Sequence, residues 1–249
     1  MNKKKFKMID THIHIIPGVD DGATDFLMAR NILEKLIEQG VTELFATSHS
    51  DSFLANHQRV MDQYGKLNVL VEETNLPMKL HLGSEVYCEA DLMEEIIQGL
   101  NDGTIPSLNG TKYVLTEFYY TDKEEAFYCL TMLLNAGWIP VIAHAERYRN
   151  LDIPFYKAMK ERGCLIQMNV FSVGEETNPC TRELAYRLLE LRLVDFLGSD
   201  AHRTTHRPPR LTGGLEYLNK HLDESYVKEI TYKNAERLLL GRKDGSNEE

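Results

Sequence analysis

The chain has 249 residues, 43% hydrophobic and 27% charged, with a formal net charge of −10. That length suits one large domain, most commonly an α/β barrel, with enough apolar residues for a core. The acidity disfavours nucleic acid as the main partner, and the longest apolar runs fall well short of a membrane span. The first residues, Met1-Asn2-Lys3-Lys4-Lys5, mimic the basic start of a signal peptide. Asp10, His12 and His14 interrupt any apolar stretch behind it, which predicts a cytoplasmic protein with no membrane insertion.

Seven short apolar runs predict strands at residues 7–11, 43–47, 79–83, 113–116, 140–143, 164–169 and 195–198. Helical periodicity fills the intervals at 27–39, 54–73, 91–98, 123–136, 154–161 and 181–191. In the first of these, Leu33, Leu36 and Ile37 share one face. Gly40, Gly137 and Gly163 each stand where a helix ends in a left-handed residue. Thr121 or Asp122 is placed to cap the fourth helix, with Glu124 and Glu125 in its first turn. Residues 203–214 read as a long rim loop before C-terminal helices, and about 243–249 as a disordered tail. One domain over residues 1–249 is expected.

Nine side chains able to ligate a metal recur along this pattern, most at the end of an apolar run. His12 and His14 lie two apart on the first strand and so share a face. Asp21 follows Asp20 in a Gly-Val-Asp-Asp-Gly turn, where ordinary turn chemistry and metal ligation are compatible. His49, Glu85, Glu117 and His144 each close a later strand, and Asp200-Ala201-His202 repeats the two-residue spacing on the last. A lone pair of spaced histidines is weak evidence, since core-satisfied imidazoles are common. Two such pairs with the further strand-end ligands outweigh that reading. Alternation of strands and helices argues for a parallel sheet. An open sheet cannot bring so many strand ends to one point, whereas a closed barrel can.

The donor mixture of imidazole and carboxylate without thiolate suits manganese, iron(II) or catalytic zinc better than a closed structural zinc site or magnesium alone. His81 shares the Glu85 face and reads as a core or supporting histidine. His57, His206 and His221 read as solvated. Cys88, Cys129, Cys164 and Cys180 form no C-x-x-C and begin no C-x5-R phosphate loop, so cysteine-based phosphatase chemistry is disfavoured. Arg147 follows His144 by three residues, and Arg203 and Arg207 follow His202. A guanidinium there can bind two phosphate oxygens. Arg147 and Arg207 are the better candidates, with Arg203 and Arg149 behind them.

At these residues the sequence closely resembles the polymerase-and-histidinol-phosphatase (PHP) superfamily. Asp10-Thr11-His12-Ile13-His14-Ile15-Ile16-Pro17-Gly18-Val19-Asp20-Asp21-Gly22-Ala23 and His144-Ala145-Glu146-Arg147-Tyr148 look like its bacterial manganese-dependent protein-tyrosine phosphatases of capsule and exopolysaccharide operons, the CpsB/YwqE type. The resemblance runs from about Met8 to Leu240. It implies a distorted seven-stranded (β/α)7 TIM-like barrel, the PHP fold, with three metal ions. One ion would take His12, His14, Glu85 and Asp200. A second would take Glu117 and His144 and share Glu85, and a third Asp21, His49 and His202. Arg147 and Arg207 match the phosphate-binding arginines. Ser48, where proline is expected in that branch, is a departure that bears on loop shape. Three divalent ions would offset over half of the formal charge and make the pocket locally positive, which suits a phosphate.

The implied partner is a phosphotyrosine protein, a bacterial tyrosine kinase of polysaccharide synthesis. The alternatives are a PHP phosphoesterase for a small molecule such as histidinol phosphate, and a non-catalytic regulator that has kept the barrel. An amidohydrolase, which shares the first-strand histidine pair, would want a metal-bridging lysine where Glu85 or Glu117 stands.

Overall fold

A computed structural model describes residues 7–119 and 122–240. Residues 1–5, Thr121 and the expected tail at 243–249 lie outside the described residues. Seven strands form one parallel sheet in sequence order: β1 (Met8–Ile13), β2 (Val41–His49), β3 (Lys79–Tyr87), β4 (Tyr113–Glu117), β5 (Ile139–Ile142), β6 (Leu165–Asn169) and β7 (Phe196–Gly198). The residues after β7 close the sheet onto β1. Ile13 bridges Ala201 in parallel, Asp200 N–H donates to His12 O at 2.8 Å, and His14 N–H donates to Ala201 O at 3.0 Å. The distorted (β/α)7 barrel expected from the sequence is the fold found.

Helices α1 (Phe26–Glu38), α2 (Ser50–Glu73), α3 (Met93–Asp102), α4 (Lys123–Asn135), α5 (Ile153–Glu161) and α6 (Pro179–Glu190) cross over between strands. Side-chain caps fix several starts: Asp25 accepts from Met28 N–H, Asp122 from Glu125 N–H and Asp152 from Phe155 N–H. Gly40, Gly137 and Gly163 take φ of +94°, +86° and +103° just past helix ends, as expected. Several boundaries differ from the sequence reading, β3 running on to Tyr87 and α3 to Asp102 among them, and two have a local cause. Helix α2 begins at Ser50 rather than near residue 54, because Asn56 (φ −163°, ψ 80°) breaks the helical period inside it. The rim loop is shorter, because α7 (Thr212–His221) already holds Gly213 and Gly214 in its first turn. α8 (Glu224–Lys228), a π-helical turn at Glu229–Lys233 and α9 (Asn234–Leu239) complete the chain. No described helix is long and apolar enough to cross a membrane.

One end of the barrel interior is filled by apolar side chains. Ile9, Phe45, Leu115, Val141 and Phe196 point inward, and Ala235 and Leu238 of α9 close that end. Burial of large apolar side chains of this kind contributes roughly 1.5–3 kcal/mol each. Polar side chains therefore collect at the opposite, C-terminal end of the strands, where barrels place their sites.

Strand β1 carries a device that regular alternation would miss. Asp10 pairs with Leu44 and Ile13 with Ala46, three steps against two. An extra residue of this kind re-aims the side chains that follow it. Ile9 can thus face the apolar core while His12 and His14 face the rim on the same inner side. Gly198 of β7 makes room for this, since a Cβ there would lie 2.6 Å from His12 Cβ.

Candidate metal centre

All nine expected ligands meet at this rim. Their donor atoms form four overlapping groups: His14 with Asp21, His49 and His202; His12 with His14 and Asp200; His12 with Glu85 and His144; and His49 with Glu85 and Glu117. His12 Nε2 and His14 Nε2 are 3.2 Å apart, and Glu85 approaches them at 3.2 and 3.1 Å. His144 Nε2 lies 2.8 Å from Glu85 Oε1 and 3.8 Å from Glu117 Oε2. His49 Nδ1 lies 3.0 Å from Glu117 Oε1, and its Nε2 is 3.3 Å from Asp21 Oδ1. His202 Nε2 reaches that same Asp21 oxygen at 3.3 Å. Asp21 is the exposed member, while His12, His14, Glu85, Glu117, His144, Asp200 and His202 are buried.

These residues fit metal ions. Ligands about 2.1 Å from one ion lie roughly 3 Å from each other, which is the spacing of the His12, His14 and Glu85 donors. Asp200 adds an independent sign. Its Oδ1 is buried with no hydrogen-bond partner among the described residues, yet three imidazole nitrogens face it at 3.6–3.9 Å. A carboxylate oxygen held that way is costly without a cation among those groups. The electrostatics agree. Burial alone would lower the His12 and His14 pKa values, but Glu85 and Asp200 beside His12, and Asp20 and Glu85 beside His14, raise both. In both cases the neighbouring carboxylates favour positive charge at this centre. Burial, His14 and Arg207 together push His202 down to about 2, so that its ring stays neutral.

The sequence reading missed the groups that orient these ligands. The side chain of Asp20, rather than that of Asp21, is buried, and its Oδ2 accepts from His14 Nδ1 at 3.0 Å. It also takes Gly22 N–H at 3.0 Å and thereby shapes the turn. Gln167 Oε1 meets His12 Nδ1 at 3.2 Å and accepts His144 N–H at 2.7 Å. Asn169 donates to Asp200 Oδ2 at 2.9 Å and accepts from Gln167 at 3.0 Å. Glu146 in turn accepts Asn169 N–H and Ser172 Oγ–H. Strand β6 brings no expected ligand and instead supplies this amide clamp. Such partners select the ring tautomer and orientation. Two inward amides at period two inside a buried strand were the available signal.

Arg147 and Arg207 both lean on Asp200. Arg147 Nη1 lies 3.1 Å from Oδ2, and Arg207 Nη2 lies 2.5 Å from it. Arg207 Nη1 also donates to His202 Nε2 at 2.7 Å. Arg203 instead bonds the Asp21 carbonyl, and Arg149 is exposed. His144, Asp200 and Arg207 adopt positive φ values of +33°, +50° and +52°. Each costs of order 1–3 kcal/mol and is the kind of strain that clusters at functional sites. A cavity of about 620 Å³ opens beside Arg147, Asp200 and Arg207, with Phe171, Glu175 and Arg210 on its far walls.

Other histidines stand apart. His81 bonds Glu43 at 2.9 Å and packs by Phe45, so it is a core-side histidine remote from the ligands. His57 is not freely solvated; it is half-buried and bonds the Thr104 carbonyl.

The family model for capsular polysaccharide synthesis proteins of the CpsB/CapC type matches residues 8–240. The chain belongs to that CpsB/CapC family. The tyrosine-protein phosphatase YwqE of Bacillus subtilis is 30% identical over 240 residues, covering 93% of this chain and 91% of its own. The tyrosine-protein phosphatase CpsB of Streptococcus pneumoniae is 28% identical over 243 residues, covering 94% and 98%. A solved structure from work on these two proteins, described as unique metal-dependent tyrosine phosphatases, superposes with a TM-score of 0.81 at 30% identity. It covers 93% of this chain and 94% of that one.

Proposed function

We propose that this protein is a metal-dependent protein-tyrosine phosphatase. It hydrolyses phosphotyrosine on a tyrosine kinase that regulates capsular or exopolysaccharide synthesis. The single observation that carries the reading is the convergence of nine imidazole and carboxylate ligands with two arginines at one rim. Family membership and the phosphatase names of the relatives support it. The centre holds three ions, manganese by preference, with iron, zinc and magnesium as alternative occupants. The chain acts in the cytoplasm as one phosphoesterase domain.

Bound divalent ions would supply an activated water and neutralise phosphoryl charge. The protein's own groups do the rest. His12, His14, Glu85 and Asp200 would hold one ion, Glu117 and His144 a second that shares Glu85, and Asp21, His49 and His202 a third. Asp20 and Gln167 fix the rings of His14 and His12 so that Nε2 of each faces the centre. Arg147 and Arg207 present guanidinium groups to phosphoryl oxygens. Tyrosine's pKa near 10 makes it a better leaving group than an alkoxide, which lessens the need for a strong general acid.

Thiols play no part in this chemistry. Cys88, Cys129 and Cys164 are buried, which raises Cys88 well above the usual thiol range and pushes Cys129 and Cys164 up to about 12. Replacing all four cysteines by serine or alanine should leave kcat/KM within about tenfold in a folded variant, under ~1.4 kcal/mol of barrier. Chelation should inhibit far more than thiol alkylation or vanadate. Loss of turnover in a folded cysteine-free variant would refute this reading.

Substrate class is tested by kcat/KM with manganese for a phosphotyrosine peptide, a phosphoserine peptide and histidinol phosphate. The peptide bearing phosphotyrosine should lead, because the open cavity beside the arginines accommodates flanking chain. A preference of tenfold or more for histidinol phosphate would replace the tyrosine-phosphatase reading with a small-molecule phosphoesterase.

A further inference from the structure

The rim has a second wall of different chemistry. Strands β3 and β4 are neighbours, with Tyr87 paired to Glu117. Tyr87 lies two residues beyond Glu85, so alternation places it on the same inner face, one step nearer the mouth. Tyr119 lies two beyond Glu117. The residue between them, Phe118, turns away and is buried edge-on against Tyr148, with ring centroids 5.8 Å apart. The Tyr87 and Tyr119 rings meet at 4.7 Å with a 40° tilt. Tyr87 is half-buried and anchored, since its hydroxyl donates to Glu89 at 3.3 Å. Tyr119 is 58% exposed, a large aromatic surface standing in water.

Its position, two residues past Glu117 and against the Tyr87 ring, sets it at the mouth above Glu85 and Glu117. Across the centre stand Arg147 and Arg207. The mouth is thus cationic on the Asp200 side and aromatic on the Glu85–Glu117 side.

We propose that Tyr119, backed by Tyr87, receives the aromatic ring of an aryl phosphate and sets the preference for aryl over alkyl phosphoesters. This rests on the phosphatase reading above and deepens it. A phosphoryl group held between the ligands and the arginines must project its ester substituent outward through the mouth. A phenyl ring leaving that way meets the Tyr119 face in an offset or tilted contact, the geometry that aromatic pairs favour. A serine ester offers one methylene there and gains almost nothing. Tyr119 does not touch the reacting atoms, so the benefit falls on binding and positioning.

The test compares wild type with Tyr119→Ala, Tyr119→Phe and Tyr87→Ala, all with metal content measured. Tyr119→Ala should lower kcat/KM for a phosphotyrosine peptide by about tenfold, chiefly through KM. It should leave a small alkyl phosphate within about twofold of wild type. Tyr119→Phe should keep the aryl preference, because the ring and not the hydroxyl makes the contact. Tyr87→Ala should give an intermediate loss. A parallel titration of metal-loaded protein with phenylphosphonate and methylphosphonate reads the same surface without turnover. Phenylphosphonate should bind more tightly in wild type, and Tyr119→Ala should remove that difference. Equal falls for aryl and alkyl substrates, or an unchanged phosphonate preference, would overturn the proposal. If no phosphoester is hydrolysed while the phosphonate difference stands, the phosphatase reading fails and the aryl site survives.

Discussion

Asp200→Ala should abolish turnover, lowering kcat/KM by at least about a thousandfold, or ~4 kcal/mol of barrier. His12→Ala should do the same. Asp200 is fully buried and its two oxygens divide their work. Oδ2 accepts from Arg147, Arg207 and Asn169, whereas among the described residues Oδ1 faces the His12, His14 and His202 nitrogens. Removing the side chain deletes a proposed metal donor and releases both arginines from their anchor. Asp200→Asn keeps the shape and loses the charge, so it should fail almost as badly. The loss should appear in metal content as well as rate. Wild type purified with manganese should hold close to three ions per chain, and the variants fewer. Metal should also raise the wild-type Tm, since a ligand at a hundred times its Kd stabilises by about 2.7 kcal/mol. That rise should shrink in Asp200→Ala. Full activity in strong chelator, once metal loss is confirmed, would sink the metal-centre reading.

Much of this centre was legible because the fold marks its ligands with a contrast. Each barrel strand contains a short apolar run, and the ligating residue stands at or just past the end of that run, at the rim. Glu85 closing Leu82-Gly83-Ser84 and Asp200 closing Leu197-Gly198-Ser199 could be read on that basis alone. The closed barrel followed from the number of such ends. All seven strands lie where the runs placed them.

What stayed hidden depends on backbone irregularity and on contacts between distant segments. The bulge between Asp10 and Ile13 has no composition signal, yet it puts His12 and His14 on the face that Ile9 also uses. Asp20 and Asp21 are adjacent carboxylates in one turn, and only the folded turn assigns one to His14 and leaves the other at the surface. Gln167 is 155 residues from His12, so their contact exists only once the barrel has closed. Tyr87 and Tyr119 look like ordinary strand-end aromatics until β3 and β4 pair.

Arg147→Ala should lower kcat on the order of a hundredfold while changing KM much less, about 2.7 kcal/mol lost chiefly in the transition state. The local structure explains why this arginine is aimed. His144 adopts a left-handed conformation, and the chain then makes a single 3-10 turn at Ala145–Arg147. Arg147 N–H donates to His144 O at 2.8 Å, and Tyr156 Oη–H locks the Ala145 carbonyl at 2.6 Å. The guanidinium is thereby carried back over the ligands to Asp200 while its side chain remains 46% exposed. Burial opposes its charge, but Asp200, Glu146 and Glu85 hold its pKa above the ordinary arginine value, so it is a permanent cation. Arg207 is more deeply engaged, bonded to both His202 and Asp200. Its removal should therefore disturb the ligands as well as the phosphate. Arg147 is the cleaner probe, because among the described residues its guanidinium bonds Asp200 through Nη1, which leaves donors to meet phosphoryl oxygens as negative charge spreads onto them. Arg147→Lys should recover only part of the loss, since an ammonium cannot reproduce the planar two-pronged grip. Steady-state kinetics on a phosphotyrosine peptide, with three-ion loading verified in each variant, decide the matter. A raised KM at unchanged kcat would mean that Arg147 binds ground state and transition state alike, and its proposed catalytic role would fall.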